Sequence, residues 1–89
     1  MLFISSFGKN VYIDDELVGY ISKEGTMFAN GYKFGELGEE GDIYLNGEYV
    51  GFIDDNGDIY IRNTYGGYVN SSNDLCFDSK ALAKLNEPK

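Results

Sequence analysis

The chain has 89 residues, fifteen of them acidic and seven basic, with no histidine and a single cysteine. This length predicts one small domain, residues 1–89, that folds without disulfides, and the lack of histidine excludes a zinc site built from nitrogen and sulfur ligands. The formal net charge of −8, with the few basic side chains dispersed among acids, argues against binding to nucleic acid and against docking to an anionic membrane.

Residues 1–7 are predicted to form a short apolar edge strand that pairs with the last strand of the domain. The apolar run from Leu2 to Ile4 is too short for a signal peptide or a membrane span, and no basic residue precedes it. Together with the free cysteine, this start predicts a cytoplasmic protein.

Residues 8–77 read as β-strands that repeat with a period of sixteen residues. Each unit contains a short extended segment, a tight turn such as Asn46-Gly47, a longer extended segment and a second turn such as Asn56-Gly57. Asn-Gly pairs are typical of hairpins, because both central residues of the tight turn need a left-handed φ. The domain is therefore predicted to be all-β, an antiparallel hairpin repeat of four units.

One glycine lies inside the longer segment of every unit: Gly19, Gly35, Gly51 and Gly67. A glycine within a strand indicates a bulge, a bend or a close approach of another backbone. Four equivalent bends predict a sheet that curls around an axis into a small flower or propeller-like form. An open stack of hairpins is the competing geometry, and the sequence pattern does not separate the two.

The register follows from the assumed turn lengths. A two-residue turn at Asn46-Gly47 places Ile43 opposite Val50. The same length at the second turn of the unit keeps Phe52 on the apolar face and directs Ile53 toward the tyrosine face, because opposed residues share a face of the sheet.

The repeat ends after Phe77. Asp78 is predicted to cap a short helix over residues 78–87, which Pro88 terminates. Ala81, Leu82 and Leu85 form an apolar stripe that can pack on the sheet.

The chain resembles the four-fold β-flower proteins, a bacterial family. The residues that carry the resemblance are Gly19-Tyr20-Ile21, Gly35-Glu36-Leu37, Gly51-Phe52-Ile53 and Gly67-Tyr68-Val69, with the Asn-Gly turns between them. It covers the chain from Lys9 to Phe77 and implies a four-unit β-fold. The family is functionally uncharacterised, so the resemblance implies no activity and no site residues.

The residues do not indicate a catalytic, metal or cofactor site. The acidic stretch from Asp54 to Asp58 is interpreted as a polar hairpin tip, because it lacks the ligand spacing and the helices of an EF-hand. Carboxylates at turn tips are too well hydrated to act as tuned acids or bases. Cys76 has no histidine to activate it and is interpreted as an apolar filler.

A row of aromatic residues is the one feature with functional promise: Tyr12, Phe28, Tyr44, Tyr49, Tyr60 and Tyr65. Tyrosine is enriched at interfaces. These rings either close the core, contact a protein partner or a second copy of the chain, or bind a small molecule or glycan. We therefore expect a non-enzymatic interaction or structural module without a cofactor, whose partner the sequence does not identify; a ligand-binding module using the tyrosine face is the alternative.

Overall fold

The computed structural model of the protein describes residues 9–86, apart from the side chains of residues 84 and 86. The edge strand predicted at residues 1–7 and the last residue of the predicted helix lie outside this range. The strands are β1 (Lys9–Ile13), β2 (Glu16–Ile21), β3 (Thr26–Ala29), β4 (Tyr32–Leu37), β5 (Asp42–Leu45), β6 (Glu48–Ile53), β7 (Asp58–Ile61), β8 (Thr64–Val69) and β9 (Leu75–Phe77). They are followed by helix α1 (Ser79–Leu82) and a 3₁₀ turn over Ala83–Asn86.

The strands form one closed barrel in which every strand pairs with its neighbours in sequence. Successive strands are antiparallel, and β1 pairs with β9 in parallel, with Val11 opposite Leu75 and Ile13 opposite Phe77. The parallel pair arises because the strand direction reverses at each hairpin, so the first and last of nine strands point the same way. Closure satisfies the backbone groups that a free sheet edge would expose.

The core contains the apolar row that recurs every sixteen residues. Val11, Met27, Ile43, Ile59 and Leu75 are each at most 1% exposed. Ile21, Leu37 and Ile53 are buried beside them, nearer one end of the barrel. Branched aliphatic side chains suit these positions because they pack tightly on a pleated surface.

The first turn of the unit has the predicted length, but the strand that follows it carries a bulge. Asn46 and Gly47 both adopt left-handed φ angles, 53° and 81°. Ile43 then pairs with Gly51 and not with Val50 as predicted, so Val50 is an additional residue in β6. The same shift occurs between Val11 and Tyr12, between Met27 and Phe28, and between Ile59 and Tyr60.

The second turn is longer than predicted, which corrects the assignment of two side chains to faces. Ile53 pairs with Ile59 and Phe52 with Tyr60. The Asp54 carboxylate accepts hydrogen bonds of 2.9 Å from the backbone N–H groups of Asn56 and Asp58 and so stabilises the wider loop. Ile53 is therefore buried inside the barrel, and Phe52 lies on its outer surface.

Helix α1 covers the end of the barrel formed by the tight turns. The Asp78 carboxylate caps the helix by accepting a hydrogen bond of 2.9 Å from the N–H of Lys80. Ala81 is buried, and Leu82 and Leu85 pack against the core. The α-helical part is shorter than predicted, because the chain continues as a 3₁₀ turn after Leu82.

Candidate interaction surface on the outside of the barrel

The outer surface of the barrel carries a set of aromatic rings, which we call the aromatic belt. Its members alternate along the strands with core residues: Tyr12, Tyr20, Phe28, Tyr44, Tyr49, Phe52, Tyr60, Tyr65 and Tyr68. All six aromatic residues singled out in the sequence belong to it. The sequence argument missed Tyr20, Phe52 and Tyr68, although each directly follows a bend glycine and so shares one position of the repeat.

Neighbouring strands bring the belt rings into contact. Tyr20 and Phe28 are stacked at a centroid distance of 5.1 Å, and Phe52 and Tyr60 at 5.4 Å. Tyr60 also meets Tyr65 edge to face at 6.1 Å. Such cross-strand pairs hold the rings in fixed orientations.

The belt is a surface feature. Tyr49 and Tyr65 are each 52% exposed, and Phe52 is 37% exposed. Tyr44 contacts Tyr49 edge to face at 5.7 Å. The rings on β5–β8 thus cover adjacent strands with aromatic area that faces solvent, and they do not fill the core.

Three grooves on the outer surface recur at sixteen-residue spacing, each between a bend glycine and the tip of a neighbouring hairpin. The first groove is lined by Lys33, Phe34, Gly35, Glu36, Asn46 and Gly47. The second groove is lined by Tyr49, Val50, Gly51, Phe52, Arg62 and Asn63. The third groove is lined by Tyr65, Gly67, Tyr68, Cys76 and Phe77, with Asp14, Asp15 and Asp78. Their volumes are about 220, 240 and 230 Å³, respectively.

Each groove is lined by a bend glycine, and the backbone of the neighbouring strand passes close to that glycine. A Cβ atom on Gly51 would overlap the carbonyl oxygen of Tyr60 in β7. The side chains that line the grooves beside this glycine differ. In the first groove Lys33 and Glu36 form an ion pair of 3.9 Å.

Aromatic rings form the walls of the second and third grooves, but the charges at the hairpin tips differ. The second groove is flanked by Arg62, whose guanidinium donates a hydrogen bond of 3.1 Å to the Glu48 carboxylate. The third groove is lined by Asp14, Asp15 and Asp78 instead. The same backbone frame therefore presents different chemistry from one groove to the next.

Cys76 lies sixteen residues after Tyr60, at the same position of the repeat, but it is buried. Burial, as the largest cause, raises the pKa of its thiol, and the Asn70 amide nitrogen lies 3.8 Å from its sulfur. A raised thiol pKa lowers the fraction of reactive thiolate at neutral pH. This placement agrees with its interpretation as a small apolar filler.

A small apolar cavity lies inside the described part of the barrel. A cavity of about 30 Å³ lies beneath α1, lined by apolar side chains that include Met27, Ile43, Phe34 and Leu82. Roughly one water molecule fills such a volume.

The architecture and surface together define a small closed all-β domain with an aromatic outer belt and a helical cover on one end. No family model matches the chain, and no curated protein or solved structure matches it significantly. Within residues 9–86, no cluster of three or more acidic or cysteine side chains is arranged to hold a metal ion. No helix in the described part of the chain has the length and apolar character needed to cross a membrane.

Proposed function

We propose that this protein is a non-enzymatic interaction module that binds a protein partner through its aromatic belt. The observation that carries the proposal is the group of rings on β5–β8, where the exposed rings of Phe52 and Tyr65 both contact the half-buried ring of Tyr60. Contiguous exposed apolar patches mark interaction sites, and tyrosine binds well because it loses little conformational entropy. We also propose that the barrel consists of four sixteen-residue hairpin units of the β-flower type.

The positions of the acidic side chains support a non-enzymatic role. Asp54 uses its carboxylate to hold its own turn, through the N–H groups of Asn56 and Asp58. Asp55, Glu39 and Glu40 lie exposed on loop tips. A catalytic acid or base needs a desolvated or charge-coupled setting, which loop tips do not supply.

A partner of different sequence is favoured over a second copy of this chain. Each copy has a formal charge of −8, and two like-charged surfaces repel one another on approach. We therefore expect the purified protein to remain monomeric in light scattering at ordinary ionic strength. A dimer whose formation depends on the belt rings would identify a second copy as the partner.

The proposal is tested by affinity capture with belt variants from a lysate of the source cells. Tyr49→Ala and Tyr65→Ala are expected to weaken recovery of a specific partner by roughly tenfold or more, as for other interface tyrosines. Tyr32→Ala is the matched control, because Tyr32 is 78% exposed and lies outside the belt. Equal recovery with all three variants, each checked for folding by circular dichroism, would contradict the proposal.

A ligand-binding module is the second candidate, and the second groove favours it. Tyr49 and Phe52 stand on either side of Gly51, with the polar Arg62 and Asn63 at one end. Ring faces beside polar groups are suited to sugars and other small polar molecules. Titration with soluble mono- and disaccharides should then shift amide resonances of this groove, and Tyr49→Ala and Phe52→Ala should abolish binding without unfolding the barrel.

A further inference from the structure

The third groove lies where the barrel closes, and closure brings together acidic residues that are far apart in sequence. Asp14 and Asp15 form the β1–β2 turn, whereas Asp78 follows β9. The N–H of Asp14 donates a 3.0 Å hydrogen bond to the carbonyl oxygen of Phe77, which holds the turn against the end of β9. All three residues consequently line one groove, although the carboxylates of Asp14 and Asp78 already accept hydrogen bonds from Ser79 and Lys80 at the start of α1.

The second groove provides an internal comparison for the third. In the second groove the N–H of Arg62 donates to the carbonyl of Val50 at 2.8 Å, and in the third the N–H of Asp78 donates to the carbonyl of Gly66 at 2.8 Å. Asp78 therefore occupies the backbone position that Arg62 occupies sixteen residues earlier. The charge at this position changes from positive to negative while the backbone contact is retained.

The walls of the third groove are the rings of Tyr65 and Tyr68, which are 52% and 45% exposed. The pKa of Tyr68 is raised, first by the neighbouring Cys76 and also by the negative charge of Asp15. The pKa of Asp14 is lowered because the Ser79 hydroxyl and N–H donate to its carboxylate. Asp14 is thus ionised at neutral pH, and the groove combines aromatic faces with negative charge.

We propose that the third groove accepts an arginine or lysine side chain from a basic segment of the protein partner. A cation over a tyrosine ring is attracted by the ring quadrupole, and carboxylates at the rim add charge complementarity. The groove volume of about 230 Å³ admits a guanidinium or ammonium group with part of its stem. The net charge of −8 attracts a basic partner over longer distances. Lys80 lies near Asp14, and Asp14 and Asp78 already accept hydrogen bonds at the start of α1, so the attraction for the partner's cation centres on Asp15 and the two rings.

This inference rests on the proposed interaction function and specifies the partner's chemistry. Uniformly ¹⁵N-labelled full-length protein would be titrated with the capped tripeptide acetyl-Gly-Arg-Gly-amide. The control peptide carries citrulline in place of arginine, which keeps the shape of the side chain and removes its charge. We expect saturable amide shifts at Gly67, Tyr68 and Asp15 with the arginine peptide but not with the control peptide. The affinity for the arginine peptide should fall as salt is added.

Three variants locate the site. Asp15→Asn removes one charge and retains a residue that tolerates the left-handed φ of 69°, and it should weaken peptide binding about fivefold. Tyr65→Leu should weaken binding by a similar factor, whereas the matched substitution Tyr49→Leu in the second groove should not. Equal shifts with the citrulline peptide, shifts spread over all acidic turns, or no saturable shift would overturn the inference.

These experiments distinguish failure of the cation site from failure of the proposed interaction function. If capture of the partner requires Tyr49 and Tyr65 but is unchanged in Asp15→Asn at low and high salt, the belt binds a partner and the cation site is refuted. If the arginine peptide binds as expected but no partner depends on the belt, the interaction function fails and the cation site stands alone.

Discussion

Gly66 and Ala81 contact one another where helix α1 meets the barrel wall. A Cβ atom on Gly66 would lie 3.3 Å from the Cβ of Ala81 and 2.9 Å from Cγ1 of Ile61. The preceding units carry larger residues at the equivalent position: Val18, Phe34 and Val50. The last unit thus lacks a side chain at the place where α1 packs.

Restoring a side chain at this position should displace the helix. Gly66→Val forces a side chain between Ile61 and Ala81, and overpacking of this kind costs about 1–3 kcal/mol. Urea denaturation should show the loss of stability, and hydrogen exchange should show reduced protection of the α1 amides. If the α1 amides keep their protection, the packing argument is wrong.

The hydrogen bonds between Asp14 and Ser79 make the attachment of α1 dependent on pH. Because they lower the pKa of Asp14 below its ordinary value of 3.8, their contribution to stability is present above that value and is lost as the pH falls through the lowered pKa. Ser79→Ala should raise the pKa of Asp14 toward 3.8, as measured by NMR titration of its carboxyl carbon. Ser72→Ala is the control, because Ser72 lies on another loop, and it should leave the titration unchanged.

Because the β7 backbone passes close to Gly51, a single methyl group added at this residue should strongly reduce the stability of the protein. Gly51→Ala places a Cβ against the backbone of Tyr60, which cannot move without disturbing the β6–β7 pairing. We expect a loss of about 2–4 kcal/mol in the free energy of unfolding. Gly38→Ala is the matched control, since the nearest atom to its Cβ would be at an ordinary 3.5 Å. Similar stabilities of the two variants would contradict the assigned register.

The buried thiol of Cys76 reports on closure of the barrel. Burial raises its pKa, so iodoacetamide should alkylate the folded protein at least about tenfold more slowly than a free thiol at pH 8. Unfolding in urea should restore the normal rate. Rapid alkylation of the native protein would show that β9 separates readily from its two neighbours.

Much of the architecture follows from local features of the sequence. The core residues from Val11 to Leu75 recur at the sixteen-residue spacing of the sequence, and Asn46-Gly47 indicated a tight turn with left-handed φ angles. These features can be predicted from the sequence because turn formation and the burial pattern depend on residues that are near each other in the chain. The row of rings was also identifiable, although its position outside the barrel was left open.

The register was harder to predict because each unit departs twice from the assumed strand pairing, by one residue each time. The extra residue Val50 exchanges the faces of Phe52 and Ile53, and the longer loop at Asp54–Asp58 then keeps Ile59 on the inner face. A shift of one residue reverses every side chain that follows it. Local propensity does not determine which residue of the adjacent strand lies opposite a bend glycine.

The amino-acid sequence by itself determined an all-β domain with a regular turn pattern and a set of aromatic residues at one position of the repeat. Only the tertiary structure decided that the sheet closes, that the rings face outward, and that Asp14 and Asp15 line the same groove as Asp78. The physical reason is that closure pairs β1 with β9. That contact joins the two ends of the described chain and leaves no trace in the spacing of neighbouring residues.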